Sequence, residues 1–100
     1  MRVLSLSAIS EYPPEILTPP LPGQTQIEGS SKTLQCRAVA NPTPVYSWLH
    51  DGRFVAVNKT SGTLRLQNLQ QSSSGVYRCL ASNSLGAELS HAAEVKVAGT

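Results

Sequence analysis

The chain is poor in the groups that carry chemistry. Its hundred residues include two cysteines, two histidines, one tryptophan and one methionine, and aromatic residues make up 5%. Cys36 and Cys79 lack CxxC spacing, which excludes a zinc-ribbon or thioredoxin-type motif. What stays open for them is a crosslink or a metal or redox role. Of the histidines, His91 adjoins no acid, and His50 precedes Asp51 within His50-Asp51-Gly52-Arg53. Asp-Gly there is a hairpin signal, so turn geometry accounts for Asp51 without catalysis. No nucleophile, base and acid converge, and no glycine-rich phosphate loop is present. The inventory assigns no enzymatic activity, no metal site and no cofactor.

Charge runs are also missing. The net charge of +2 comes from Arg2, Lys32, Arg37, Arg53, Lys59, Arg65, Arg78 and Lys96, no two of them adjacent. A nucleic-acid footprint requires clustering, so none is expected. Long apolar runs are absent as well. Val3, Leu4, Leu6, Ala8 and Ile9 are interrupted by Ser5 and Ser7, too short a stretch for a signal peptide or a membrane span. Residues 1–12 read as a leader or the tail of a linker, and no direct membrane contact is expected. No apolar spacing of three and four residues persists over several turns, which excludes a substantial helix.

What is present is proline early and alternation later. Pro13-Pro14, Pro19-Pro20 and Pro22-Gly23 make the first quarter extended and kinked, because proline fixes its own torsion and restricts its predecessor. This suits an edge strand in two parts, around Ile16-Leu17 and residues 24–27. From Lys32, Leu34, Cys36 and Ala38 point one way while Thr33, Gln35 and Arg37 point the other, the mark of a half-buried antiparallel strand. Further strands are expected with Tyr46 and Trp48 inward and Ser47 and Leu49 outward, over residues 54–57, around Leu64 and Leu66 with Leu69 at the exit, over residues 76–82, and over residues 87–97. Polar turns fall at residues 41–44, 58–62 and 83–86. One hundred residues make one domain, and so small a core gains from a crosslink.

Cys36, Trp48, Tyr77 and Cys79 in that order, with Gly75-Val76-Tyr77-Arg78-Cys79 and Ala81-Ser82-Asn83, resemble the pin and tyrosine corner of an immunoglobulin domain. Asn41-Pro42-Thr43-Pro44, Trp48-Leu49-His50-Asp51-Gly52, Gly62-Thr63-Leu64 and the run from Tyr77 to Gly86 are similar to the intermediate (I-set) family, over residues 13–98. The resemblance implies an all-β antiparallel sandwich with a Cys36–Cys79 disulfide between its sheets, Trp48 packed on it, and Tyr77 bonding nearby backbone. The short interval before Cys79 leaves strand D reduced or absent, as in C2-type domains. Family members usually carry an acid two positions before the glycine matched by Gly75. Ser73 stands there, so no buried ion pair is expected at that corner.

The resemblance further implies a non-catalytic interaction module of a larger extracellular or cell-surface protein, or a spacer in a multidomain chain, including the intracellular muscle type. Its partner would be another protein, a second copy or an adjacent domain. Leu49, Phe54, Val55, Val57, Arg78 and Leu80 form the candidate interface on one outward sheet face. Asn58-Lys59-Thr60 is a candidate N-glycosylation acceptor. Residues 99–100 read as the start of a linker.

Overall fold

The computed structural model describes residues 10–99, and most of the expected leader lies outside the described residues. The first layer holds two antiparallel pairs, β1 (Tyr12–Thr18) with β4 (Arg37–Asn41) and β3 (Lys32–Gln35) with β7 (Thr63–Leu66). Strands β3 and β4 are halves of one run interrupted at Cys36. The Cys36 N–H donates to the Gly62 carbonyl at 2.7 Å, which carries the β3–β7 ladder past the break. A Cβ on Gly62 would collide with the Cys36 carbonyl oxygen, so only glycine allows the strands to approach this closely.

The second sheet runs β6 (Arg53–Lys59), β5 (Val45–His50), β8 (Gly75–Asn83), with β9 (Gly86–Leu89) and β10 (Ala93–Val95) both pairing with β8. Strand β11 (Val97–Ala98) runs parallel to β2 (Gln26–Ile27). No strand lies between β6 and β7, so strand D is absent. Among the described residues the one helical piece is a single 3-10 turn, Gln71–Ser73, too short to leave a periodicity in the sequence.

Alternation decides what is buried. Leu34, Cys36 and Ala38 face Tyr46, Trp48, Tyr77, Cys79, Ala81, Val95 and Val97 in one core, with Leu64 and Leu66 partly buried against it. Trp48 is 0% exposed and stands opposite Cys79 in the β5–β8 register. An indole of this size removes about 150–250 Å² from water, a transfer term of about 4–6 kcal/mol. Cys36 and Cys79 form the disulfide between the sheets, with a Cα–Cα separation of 6.3 Å. The sandwich implied by the resemblance is the fold.

Three local features differ from the alternation. Strand β6 extends beyond residues 54–57 through Asn58 and Lys59, where a turn was expected. Asn58 takes a positive φ of 52° at a register irregularity and donates its N–H to Ser47 Oγ at 3.1 Å, which keeps the pair together. Ser47 faces outward beside Leu80 yet is buried. The last long strand is split at Ser90, whose Oγ accepts the Cys79 N–H at 2.8 Å while its own N–H donates to the Cys79 carbonyl at 2.8 Å. A side-chain oxygen thus replaces a ladder acceptor, and β9 ends before β10 begins.

Candidate interaction face

The tyrosine corner sits where the 3-10 turn enters β8. Tyr77 Oη donates to the Ser73 carbonyl at 2.6 Å, and the Tyr77 ring stacks on His50 with centroids 4.3 Å apart and planes 6° from parallel. Burial, and secondarily the Asp51 carboxylate, raise the Tyr77 pKa above 10.0. His50 Nε2 lies 2.9 Å from the Ser74 carbonyl, a geometry in which the ring nitrogen donates. Ser73 Oγ accepts the Gln70 N–H at 3.1 Å, and the charged contact to β8 comes instead from Asp51, whose Oδ1 accepts the Val76 N–H at 2.8 Å. Asp51 and Gly52 have φ of 51° and 85°, as a tight hairpin turn requires. The Asp51 side chain is 58% exposed and lies 3.5 Å from His50. These groups are occupied in holding β5, β6 and β8 together.

The outward face of the second sheet is different. Leu49 stands opposite Phe54 on β6 and opposite Arg78 on β8. Leu80 stands opposite Ser47 on β5 and Leu89 on β9. Residues directly opposite in an antiparallel pair share a face, so Leu49, Phe54, Arg78, Leu80 and Leu89 lie together. Leu49, Arg78 and Leu80 are half-buried by their neighbours, whereas Phe54 is 55% and Leu89 49% exposed. Arg78 Nη1 donates to the Ser90 carbonyl at 3.1 Å, which fixes the guanidinium beside the leucines. Val55 and Val57, on the β6 edge, are 52% and 53% exposed. Asn58 is exposed at the end of the same edge.

Leu89 belongs to this face although strand alternation in the sequence does not place it there. Alternation back from Ala93 passes through the break at Ser90, so its direction was not readable from the strand pattern alone. Four of these side chains are large and apolar, and the arrangement is suited to contact with another surface through burial, not to bond making. Among the described residues no group of three His, Cys, Asp or Glu side chains could hold a metal ion. His91 is exposed.

Comparison with known proteins agrees with this geometry. The family described as Immunoglobulin domain matches residues 13–83. The neuronal cell adhesion molecule of Gallus gallus is 32% identical over 93 residues, covering 86% of this chain and 7% of its own length. The protein sidekick of Drosophila melanogaster is 38% identical over 76 residues, covering 76% of this chain and 3% of its own length. A solved chimeric titin Z1Z2 superposes with a TM-score of 0.78 at 27% identity, covering 91% of this chain and 100% of that one. The chain spans a small fraction of the length of the two adhesion relatives. With its disulfide, buried tryptophan and tyrosine corner in place, and with a family match over most of its length, the chain belongs to the immunoglobulin-domain family.

Proposed function

We propose that this chain is a non-catalytic protein-interaction module of a larger cell-surface or secreted protein, and that it meets its partner through the outward face of β5, β6, β8 and β9. The observation that carries the reading is the adjacency of Leu49 with Phe54 and of Leu80 with Leu89 across paired strands. A contiguous apolar surface rimmed by polar groups is the common form of a recognition patch. The adhesion relatives support the extracellular setting, and the Cys36–Cys79 disulfide fits an oxidising compartment. The partner is another protein, a second copy of this chain, or a neighbouring domain. The test is binding of the secreted chain to an array of cell-surface ectodomains that includes the chain itself. Leu80→Glu is expected to abolish the positive signal with little change in melting temperature, and undiminished binding would remove this face from the account.

A second reading, a spacer module, is favoured by the titin superposition. In an intracellular spacer the cysteines would be reduced. Counting reactive thiols in protein taken from its native source separates the two readings: none before reduction supports the ectodomain, two supports the spacer.

A further inference from the structure

We infer that Asn58 carries an N-linked oligosaccharide that covers the free edge of β6, and that the bare chain associates with a second copy along that edge. The inference rests on the secreted setting proposed above and adds a modification site and its purpose.

Strand β6 is hydrogen-bonded to β5 on one side and, among the described residues, has no strand on the other. Its outer amides and carbonyls are therefore a template for another strand. Several other edges among the described residues are blunted. Strand β1 contains Pro13 and Pro14, which have no amide hydrogen, β7 is four residues long, and β2 and β11 pair with each other. Strand β6 is seven residues long, contains no proline, confines its charges to Arg53 and Lys59 at its ends, and carries two register irregularities against β5. Between them Phe54, Val55 and Val57 are each more than half exposed. Residues of this kind favour pairing, and an edge that carries them uncovered is an association site.

The acceptor triplet lies on this edge. Asn58, Lys59 and Thr60 are all exposed. The Asn58 backbone is engaged by Ser47, and its positive φ marks one of the two points where the ladder departs from regular register. Asn58 is four positions from Phe54, about 13 Å along an extended strand at about 3.3 Å per residue. A branched oligosaccharide is bulky and hydrophilic enough to lie over that distance. If two copies of β6 met antiparallel about Ala56, Asn58 of one copy would face Phe54 of the other, so a sugar on either copy obstructs the contact. The same register sets Arg53 against Lys59 at both ends, and added salt should tighten the bare pair by screening that repulsion.

The experiment uses the full 100-residue chain secreted from glycosylating animal cells, as wild type, Thr60→Ala, and Thr60→Ala with Phe54→Lys. Thr60→Ala removes the acceptor triplet and leaves Asn58 in place. Intact mass should show an oligosaccharide on the wild type alone. Sedimentation equilibrium should show Thr60→Ala self-associating with a dissociation constant lower than that of the wild type by about tenfold or more, and reversal by Phe54→Lys. A wild type with the bare peptide mass would overturn the inference, as would wild type and Thr60→Ala that sediment alike. Thiol counting keeps the two failures apart. Two reactive thiols in protein from its native source would remove the secreted setting, whereas an oxidised pair with a bare Asn58 would remove this inference alone.

Discussion

Asp51 and Val76 are joined twice: the Val76 N–H donates to Asp51 Oδ1 at 2.8 Å, and the Asp51 N–H donates to the Val76 carbonyl at 2.8 Å. The tip of the β5–β6 hairpin is thereby fastened to the start of β8. A carboxylate that accepts a backbone amide is a charge-assisted cap, stronger than a neutral one. Asp51→Asn keeps the residue type that tolerates positive φ and removes the charge. It should lower stability by about 1 kcal/mol, read as a drop in urea midpoint at constant slope.

At the same corner the raised pKa of Tyr77 gives a signed pH dependence. Below its ordinary value of 10.0 the phenol is protonated in both the folded and the unfolded chain, and the full contribution is present. As pH rises beyond 10.0 the unfolded chain loses the proton first, so stability falls through the folded-state value. Tyr77→Phe should cost about 1 kcal/mol at neutral pH, from the bond to the Ser73 carbonyl. Its stability should also decline less steeply than that of the wild type in alkaline melts, and parallel decline would contradict the assignment.

The disulfide closes a stretch with a sequence separation of 43. In the chain-entropy description such a loop contributes about 4 kcal/mol, a large share of the total for a domain of this size. Equilibrium unfolding with and without reductant should differ by about that amount. A difference below about 1 kcal/mol would place the stability of the sandwich in its core alone.

Gly62→Ala tests the close approach of β7 to Cys36. The added Cβ meets the Cys36 carbonyl, a backbone atom that cannot rotate away. The strands must separate, at a cost of about 1–3 kcal/mol, read in thermal melts. A neutral substitution would show that the strands can part without loss.

Much of the frame was legible in the chain. Cys36, Trp48, Tyr77 and Cys79 imply the sandwich because each has a place fixed by the others, and Leu34 and Ala38 follow from alternation on the same strand. Asp51-Gly52 announced the hairpin. The Asp51 bond to Val76 was not legible, since it joins residues 25 positions apart and no local pattern reports a side chain reaching across a corner. The acid that family members usually carry is replaced by Ser73, and the carboxylate at that corner comes from Asp51 on the facing hairpin. The burial of outward-facing Ser47 and the break at Ser90 share one cause. In each, a serine oxygen takes a backbone amide, and alternation describes side-chain direction without describing such substitutions in the ladder.

The face formed by Leu49, Phe54, Leu80 and Leu89 is the centre of the functional account. It is tested most directly by placing one negative charge on each sheet in turn and measuring the affinity of each variant for an ectodomain found to bind the wild type. Leu89→Glu alters the proposed face, and Gln35→Glu adds the same charge at an exposed position of β3 in the other sheet. The account predicts a loss of affinity of about tenfold or more, about 1.4 kcal/mol, for Leu89→Glu and none for Gln35→Glu. Loss with Gln35→Glu and retention with Leu89→Glu would contradict it.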